Sequence, residues 1–316
     1  MPTKIILDCD PGHDDAMAML LAWGSPEIDL IGVTTVGGNQ TIDKVTRNAL
    51  AIARVAGIHG IPFAKGAAHP LLRPVEVAEE IHGASGLDGP VLPEPDLELD
   101  PRPAAQFIVD TVMAAEPGTI TLVPTGPLTN IALAVRLEPA IVDRVREVVL
   151  MGGGARVGNW SPVAEFNIVV DPEAAAIVFA ARWTVTMVGL DLTHQALATD
   201  EVVAGIRAIG TGPARFAGEL MDFFTGAYRE VAGFDHPPVH DPCAVAYVID
   251  PTIVRAVPAP IVVETRGEHT LGMTVVDLRG PAPAGTRTQV ALELDAARFW
   301  DLMLDAIRDL GDPLVD

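Results

Sequence analysis

Apolar segments alternate with helical patterns through the first two thirds of the chain. Five short apolar segments lack polar alternation, as expected of strands that are buried on both faces. They comprise residues 4–10, 28–36, 119–124, 148–151 and 185–190. Helical patterns lie between them at residues 14–23, 41–56, 104–115, 128–137 and 173–181. This alternation predicts an α/β fold, with an open, mostly parallel, doubly wound (Rossmann-like) sheet flanked by helices.

The C-terminal third has a different pattern, which predicts a few extra strands and helices. Two helices are predicted within residues 201–231, and a final helix ends near residue 310. Alternating segments between them comprise residues 261–265, 271–276 and 290–294. The acidic, proline-rich residues 93–103 are typical of a surface connection, and neither a repeat nor a Ser/Gly linker marks a boundary. We therefore expect a single domain over residues 1–316.

Composition and charge narrow the classes of partner. The chain is 49% hydrophobic and 20% charged, which is typical of a globular protein. Its net charge of -21, from 42 acidic and 21 basic residues, argues against nucleic-acid binding. No apolar stretch approaches the roughly 20 residues of a membrane span, and the N-terminal residues lack a secretory pattern. The two cysteines provide neither a disulfide framework nor a zinc site, so we expect a cytoplasmic protein with no membrane partner.

An unusual acidic motif follows the first predicted strand. Residues 8–15 read Asp-x-Asp-Pro-Gly-x-Asp-Asp. Removing a carboxylate from water costs several kcal/mol unless a partner compensates its charge, and like charges nearby raise that cost. A helix N-terminus favours an acidic side chain by only about 0.3–1 kcal/mol, so capping accounts for one or two of the four carboxylates. The motif therefore predicts a bound cation, and its oxygen ligands favour Ca²⁺ or Mg²⁺ over zinc.

Further polar groups are expected at the same edge of the sheet. Gly-rich segments at residues 36–39, 123–130 and 150–160 each follow a predicted strand. Ligands of open α/β sheets bind outside the carboxyl ends of the strands, so these loops should converge on Asp10. Asp241 precedes Pro242 and another apolar helix, where it is equally well explained as an N-cap. His240 alone is more simply explained as a surface or core histidine.

Several motifs together resemble one known family. The acidic motif, "AEFN" at residues 164–167, "DPEAA" at residues 171–175 and "HDP" at residues 240–242 resemble the nucleoside hydrolases, the calcium-dependent inosine-uridine N-ribohydrolases. The resemblance runs in order from Lys4 to beyond Tyr247. It implies hydrolysis of the N-glycosidic bond of ribonucleosides to free base and ribose. It also implies a homodimer or homotetramer with a role in nucleoside salvage, acting on purine or pyrimidine ribonucleosides.

The resemblance implies a calcium site. Asp10, Asp15 and Asp241 would bind Ca²⁺ through their carboxylates, and Thr125 through its backbone carbonyl. A water and two ribose hydroxyls would bring the coordination close to the eight oxygens that Ca²⁺ accepts. Asp8 would support this cluster from behind.

The same resemblance implies the sugar contacts. Asp14 and Asn167 would bind the 2′ and 3′ hydroxyls, and Asn39 would lie near the water and the diol. The remaining implied contacts are the 5′ hydroxyl with Asn159 and Glu165, and the ribose with Met151. A site built around hydroxyls discriminates strongly against analogues that lack them, so deoxyribonucleosides should be poor substrates.

Catalysis would combine the metal with a base and an acid. Ca²⁺ would orient a water, Asp10 would take the proton of that water, and direct attack predicts inversion at C1′. The leaving base needs a proton, for which His240 is our first candidate. The second is His82, in the glycine-rich segment of residues 81–89, which reads as a mobile lid; a lone loop histidine is more often exposed to solvent.

The base pocket and the reaction class leave alternatives open. Phe166, Tyr228 and Phe234 are candidates to stack on the base but are equally typical of a core, and Trp160 is ambiguous in the same way. The preferred base is therefore not predicted. The Asp-x-Asp spacing that begins at Asp8 also occurs in Mg²⁺-dependent phosphatases of the haloacid-dehalogenase type. A non-catalytic nucleoside-binding sensor on the same scaffold is the other alternative.

Overall fold

The computed structural model describes residues 1–313. Its strands, numbered along this part of the chain, are β1 (Thr3–Cys9), β2 (Ile28–Thr35), β3 (Phe63–Lys65), β4 (Ile120–Pro124), β5 (Glu147–Met151), β6 (Val185–Val188), β7 (Val254–Pro258), β8 (Ile261–Val263), β9 (Thr274–Val276) and β10 (Thr288–Leu294). Eight of them form one sheet in the order β3-β2-β1-β4-β5-β6-β10-β7, while β8 and β9 pair separately. Neighbours in the large sheet are parallel, except that β10 and β7 are antiparallel. The predicted α/β fold with a mostly parallel sheet is confirmed.

The helices cover both faces of this sheet. Over residues 1–313 they are α1 (His13–Gly24), α2 (Ile42–Ala56), α3 (Glu79–His82), α4 (Ala104–Ala114), α5 (Thr129–Leu137), α6 (Phe166–Val170), α7 (Pro172–Ala180), α8 (Leu190–Thr193), α9 (Asp200–Ile209), α10 (Gly212–Val231), α11 (Pro242–Ile249) and α12 (Ala296–Asp309). Short 3₁₀ turns occur at Pro139–Asp143 and Pro251–Ile253. Across the described residues, no helix has the length and apolarity that a membrane span requires.

Burial on both faces explains why the central strands lack polar alternation. Ile5 and Leu7 of β1 belong to the apolar cluster that includes α1, α10 and α12, whereas Ile6 belongs to the cluster that includes α4, α5 and α7. All three side chains are fully buried. Successive residues of a strand point to opposite faces, so a strand covered on both sides must be apolar throughout.

The sequence misplaced or missed several short elements. The strand predicted over residues 185–190 ends at Val188, because Gly189 is the N-cap residue of the short helix α8. The three-residue strand β3 and the antiparallel edge strand β7 had no counterpart in the prediction. By contrast, the expected cap at Asp171 is present, since Oδ1 of Asp171 accepts a hydrogen bond of 3.0 Å from the Ala174 amide.

The sheet brings the predicted polar loops to one edge. Cys9 of β1 pairs with Thr35 of β2, and Asp8 pairs with Pro124 of β4, so these three strands end at the same level. The chain leaves them through residues 10–12, 36–41 and 125–128, respectively. The acidic motif and two of the three Gly-rich loops therefore share the carboxyl edge of the sheet.

Candidate active site

A cavity of about 410 Å³ opens at this edge. Its wall includes twelve of the residues predicted to bind substrate or metal or to act in catalysis: Asp14, Asn39, His82, Thr125, Met151, Asn159, Glu165, Phe166, Asn167, Tyr228, His240 and Asp241. We define its polar floor as the buried residues Asp14, Asn39, Thr125, Asn167 and Asp241. We define its apolar rim as the partly or fully exposed residues Val77, Ile81, Trp160, Val231 and Phe234.

Asp10 lies directly beneath the polar floor and is fully buried. Its Oδ2 atom accepts a hydrogen bond of 2.6 Å from the backbone amide of Asn39, whereas its Oδ1 atom has no hydrogen-bond partner. Gly38 and Gly126 pack so closely on this carboxylate that a Cβ at either position would overlap it. Two of the Gly-rich loops therefore serve to bring backbone against Asp10.

Asp15 both caps its helix and reaches the loop after β4. Its Oδ2 atom accepts a hydrogen bond of 3.0 Å from the amide of Gly12, the N-cap residue of α1, which is one half of a capping box, because Gly12 has no side chain to make the reciprocal bond. Its Oδ1 atom accepts a bond of 2.9 Å from Oγ1 of Thr125. Capping therefore explains one oxygen of Asp15, and the other is aimed at the polar floor.

Three carboxylates meet where a cation could bind. Oxygen atoms of Asp14, Asp15 and Asp241 lie within 4.8 Å of one another, and all three residues are buried. Asp241 is the N-cap residue of α11, but its side chain makes no capping hydrogen bond. The group differs from the predicted ligand set, since it contains Asp14 where the resemblance implies Asp10.

The electrostatics of this buried carboxylate cluster favour a bound cation. Burial, with a contribution from the neighbouring carboxylates, raises the pKa of Asp10 and of Asp241 well above the usual range. The same two causes raise the pKa of Asp14 to about 7, and burial raises that of Asp15. Ionised carboxylates at this density are unfavourable without a compensating cation. The buried acidic cluster could therefore bind a metal ion.

Asp8 stands behind the cluster. Its Oδ1 atom accepts hydrogen bonds from Oγ1 of Thr34, at 2.5 Å, and Nδ2 of Asn130, at 2.7 Å. Its Oδ2 atom is buried without a partner, and burial raises its pKa to about 7. Thr34 and Asn130 were missed by the sequence analysis, because they reach Asp8 only once three separate parts of the chain are assembled.

Asn167 joins the floor to the Gly-rich loop after β5. Its Nδ2 atom donates to the backbone carbonyl of Thr125, at 2.7 Å, and to that of Met151, at 3.3 Å. The Thr125 carbonyl was predicted to bind a cation. A carbonyl oxygen has two lone pairs, so the contact with Asn167 leaves one for a further partner.

Glu165 and Asn159 are held by backbone groups. Glu165 caps α6 and also accepts a hydrogen bond of 2.8 Å from the Gly153 amide, while burial raises its pKa to about 7. Oδ1 of Asn159 accepts a bond of 2.9 Å from the Phe166 amide, which leaves the Asn159 Nδ2 group to donate elsewhere. Both side chains line the cavity from fixed positions.

His240 is the centre of a chain of hydrogen bonds. Its Nδ1 atom lies 2.7 Å from Oγ1 of Thr193, and its Nε2 atom lies 2.8 Å from the Tyr228 hydroxyl. Burial, and then the neighbouring His194, lower the pKa of His240 to about 3. Thr193 was missed by the sequence analysis, since it belongs to the short helix α8, which begins where a strand was predicted to end. Tyr228, predicted only as a candidate to stack on the base, also orients this imidazole.

His82 is buried, and the expectation of an exposed loop histidine is wrong. It is the last residue of α3, and only 5% of its surface is exposed. Its Nδ1 atom lies 3.1 Å from Nδ1 of His13, a fully buried histidine that the sequence analysis did not single out. The close packing of α3 against the first turn of α1 and against α10 excludes solvent from both rings.

Aromatic side chains surround the outer half of the cavity. Phe166 and Trp160 are tilted against each other with centroids 5.6 Å apart, and Trp160 is 48% exposed. Phe234 packs edge-on against Tyr228 at 5.9 Å. All four residues line the cavity. An apolar, aromatic wall of this kind suits a planar ring, which is the shape of a nucleobase.

Comparisons with known proteins give one consistent result. The family model described as "Inosine-uridine preferring nucleoside hydrolase" matches residues 5–301. An inosine-uridine preferring nucleoside hydrolase of Leishmania major is 58% identical over 314 residues, covering 99% of this chain and 100% of the relative. A pyrimidine-specific ribonucleoside hydrolase of Shewanella woodyi is 46% identical, covering 97% and 98%. The solved structure of a purine-preferring ribonucleoside hydrolase from Gardnerella vaginalis superposes with a TM-score of 0.92 at 36% identity, covering 98% and 99%.

Proposed function

This chain belongs to the inosine-uridine preferring nucleoside hydrolase family, and from that membership we propose the substrate and the chemistry of its cavity. The chain hydrolyses ribonucleosides at their N-glycosidic bond, so it is a hydrolase acting on N-glycosyl compounds. The observation that carries the proposal is the buried carboxylate cluster beneath the cavity, which includes the unpartnered Oδ1 atom of Asp10.

The residues fit a hard cation. The unpartnered oxygens of Asp8 and Asp10 are buried acceptors that hydrogen bonds do not satisfy. The Asp241 carboxylate makes no capping bond and is therefore available to a cation. All of these potential ligand atoms are oxygens, which Ca²⁺ and Mg²⁺ prefer, and the ribose diol would add two more oxygens. We propose Ca²⁺, because a site that combines carboxylates, a carbonyl, a water and a diol exceeds the six oxygens around Mg²⁺.

We assign the metal ligands as Asp10, Asp15, Asp241 and the backbone carbonyl of Thr125. When bound, Ca²⁺ would supply positive charge that offsets the carboxylates and lowers the pKa of a neighbouring water. Asp14 also belongs to the cluster of three carboxylates, so its side chain would lie between the cation and the sugar. Asp8, which holds Thr34 and Asn130, keeps the strand end behind the ligands in place.

The sugar is bound by the polar floor and its neighbours. Asp14 and Asn167 accept and donate hydrogen bonds at the 2′ and 3′ hydroxyls, and Asn39 lies beside the diol. Glu165 and the free Nδ2 group of Asn159 bind the 5′ hydroxyl. Each of these side chains has at least one fixed backbone partner, so the floor is formed before the substrate arrives.

Asp10 is the general base. Its Oδ2 atom is held by the Asn39 amide, while Oδ1 is free to accept the proton of the attacking water. A general base in this position contributes about 10² to 10⁴-fold to the rate. The water attacks C1′ from the side of the floor, and the reaction inverts the configuration there.

The leaving base receives a proton through His240. The ring of His240 connects Thr193 to the Tyr228 hydroxyl, and Tyr228 lines the cavity. His240 enters this step protonated at both ring nitrogens and leaves it as neutral imidazole: Nε2 gives its proton to the Tyr228 oxygen while the Tyr228 hydroxyl gives its own to the base. Because burial lowers the pKa of His240, the protonated ring is a strong acid. The base itself lies between Phe166 and the rim, with Met151 beneath the ribose.

The two alternative activities are not favoured. A phosphatase of the haloacid-dehalogenase type would use Asp8 as its nucleophile, but Thr34 and Asn130 both donate to Oδ1 of Asp8 and hold it behind the carboxylate cluster. A sensor would not need a base with an unpartnered oxygen beneath the sugar site. Membership in a family of ribonucleoside hydrolases supports turnover.

We also propose a cytoplasmic homodimer or homotetramer that acts in nucleoside salvage, built from one domain per chain. Size-exclusion chromatography with light scattering tests the assembly directly. A monomer at micromolar concentration would contradict it.

Release of free ribose from uridine, cytidine, inosine and adenosine tests the proposed function. We expect ribose from at least one of the four, lost after chelation and restored by added Ca²⁺. The same panel ranks the bases. Folded, calcium-loaded protein that releases no ribose from any of them would contradict the proposal.

A further inference from the structure

The small sheet of β8 and β9 packs one threonine against the Gly-rich loop after β5. Thr274 in β9 is 1% exposed, whereas the next residue, Val275, is 42% exposed, so Thr274 is on the inner face of the strand. A buried hydroxyl needs hydrogen-bond partners. None of the side chains assigned above to substrate, metal or catalysis belongs to this sheet, so its contacts with the loop have a purpose of their own.

Thr274 holds one residue of the loop by two hydrogen bonds. Its Oγ1 atom accepts a bond of 2.9 Å from the Gly154 amide and donates one of 2.7 Å to the Gly154 carbonyl. A hydroxyl has one hydrogen and two lone pairs, so both bonds can form at once. Gly153 lies equally close, since a Cβ there would be 2.8 Å from Cγ2 of Thr274, and its φ of +72° also favours glycine. The loop backbone is therefore fixed against the side chain of Thr274.

This loop reaches Glu165 through the Gly153 amide. Within the described part of the chain, three backbone amides donate to the Glu165 carboxylate, and two of them, from Asn167 and Ile168, belong to α6. The third is the Gly153 amide, at 2.8 Å, which comes from a different segment. The bond from Gly153 therefore fixes Glu165 relative to the end of β5.

A second contact of β9 reaches the same part of the cavity wall. Met273 forms an antiparallel bridge with Ala164, which directly precedes Glu165. The Ala164 carbonyl also accepts a hydrogen bond of 3.2 Å from the Asn159 amide. Two neighbouring residues of β9 are thus connected to both residues that are proposed to bind the 5′ hydroxyl.

We propose that Thr274 is a positioning residue for the 5′ hydroxyl of the substrate, acting through the Gly153–Gly154 backbone and Glu165. The inference deepens the proposed function and rests on it, because it requires a nucleoside whose 5′ hydroxyl contacts Glu165. Without the Thr274 hydroxyl, both polar groups of the buried Gly154 would lose their partner, and the loop would have to move to satisfy them. A hydrogen bond to a carboxylate depends on distance and angle, so this movement should weaken the 5′ contact and spare the rest of the sugar.

The test compares the best ribonucleoside of the panel with its 5′-deoxy analogue. We would measure kcat and KM for both substrates in the wild type, Thr274→Val, Thr274→Ser and Thr288→Val. The wild type should prefer the 5′ hydroxyl by at least tenfold in kcat/KM, as expected for a hydrogen bond to a carboxylate. Thr274→Val should lose about tenfold in kcat/KM for the ribonucleoside and change by less than about twofold for the 5′-deoxy analogue. Thr274→Ser keeps the hydroxyl and should retain the wild-type preference.

Thr288 provides the matched control. It is also a strand threonine whose hydroxyl donates to a backbone carbonyl, that of Ala259. It begins β10 and pairs with Val185 at the start of β6, so it lies at the opposite edge of the sheet from the cavity. Thr288→Val should therefore leave the preference unchanged. Thr274→Ala removes the same hydroxyl as Thr274→Val without placing a methyl group against Gly154, and it should give the same result if Thr274→Val does not fold.

Hydrogen exchange supplies a readout that needs no turnover. Deuterium uptake of a peptide covering residues 152–156 should rise in Thr274→Val, because the Gly154 amide loses its acceptor, and should stay at the wild-type level in Thr274→Ser and Thr288→Val. Unchanged uptake in Thr274→Val, or an unchanged preference for the 5′ hydroxyl in that variant, would overturn the inference. Folded, calcium-loaded wild type that releases no sugar would instead overturn the proposed function and this inference with it, so the two failures are distinguishable.

Discussion

The polar floor and the apolar rim form one cavity, but they are built in different ways. The floor residues are at most 7% exposed and are connected by hydrogen bonds to strand ends, for example Asn167 to the Thr125 carbonyl and Asn39 to Asp10. The rim comes from α3, α10 and loops, and two of its residues, Trp160 and Val231, are 48% and 49% exposed. The floor is fixed before binding, while the rim depends on contacts that are individually weak.

This difference in construction indicates that the floor and the rim have different functions. Groups that must act on the scissile bond need fixed positions, because a displacement of about 1 Å can cost 10²-fold in rate. Groups that only contact the base through apolar surface can change with a cost of about 1–3 kcal/mol per lost contact. We therefore expect floor substitutions to abolish chemistry and rim substitutions to change base preference.

The largest expected effect is discrimination against missing ribose hydroxyls. We expect 2′-deoxyuridine to have a kcat/KM about 10⁴-fold below that of uridine, because buried floor groups such as Asp14 and Asn167 would lose their partner. Ribose and deoxyribose release under the same conditions measures the ratio. The rim variant Trp160→Ala serves as the control, since it should leave this ratio unchanged. A ratio of kcat/KM below tenfold between uridine and 2′-deoxyuridine would show that the floor does not recognise the ribose hydroxyls.

Loss of the proposed general base, Asp10, comes next. Asp10→Asn should reduce kcat by about 10²- to 10⁴-fold, because the amide nitrogen cannot accept the proton of water. Steady-state kinetics with the best substrate of the panel measure the change. Asp43→Asn is a matched control, since Asp43 is an exposed acid paired with Lys65 away from the cavity. A near-normal kcat in Asp10→Asn would show that Asp10 is not the general base.

A rim substitution should have the smallest effect on rate and the clearest effect on selectivity. Trp160→Ala should change the ratio of kcat/KM between inosine and uridine by about 5- to 50-fold, because a stacking surface contributes roughly 1–2 kcal/mol. Trp160→Phe, which keeps an aromatic ring against Phe166, should retain more of the wild-type ratio. If Trp160→Ala reduced kcat equally for every nucleoside, the separation of rim from floor would be wrong.

The position of the floor residues at one edge of the sheet could be predicted because local rules determine it. The acidic motif at residues 8–15 follows an apolar strand, and the carboxyl ends of parallel strands share one edge, so Asp10 and Thr125 had to lie close together. Gly38 and Gly126 could be recognised as loop residues, but their contact with the Asp10 carboxylate required the assembled sheet. Whether Asp10 or Asp14 joins Asp15 and Asp241 depends on side-chain rotamers, which a motif does not specify.

For the rim, the sequence offered Trp160 and Phe234 only as candidates, and the histidine contacts could not be predicted because they are tertiary. Thr193 reaches His240 across 47 residues of sequence, and His82 reaches His13 across 69. His82 lies in a glycine-rich segment typical of exposed loops, yet packing against α1 and α10 buries it. Burial of a short polar segment by distant helices leaves no local periodic signal.

Calcium binding by the folded protein tests the central claim most directly. Calorimetric titration of Ca²⁺ into chelator-stripped wild type should show about one site per chain, because the floor carboxylates need a cation. Asp241→Asn should lose most of this binding. Asp250→Asn, at the opposite end of α11, should keep it, since Asp250 caps the following turn through Thr252. No heat of binding in the wild type, or equal binding by Asp241→Asn, would contradict the account.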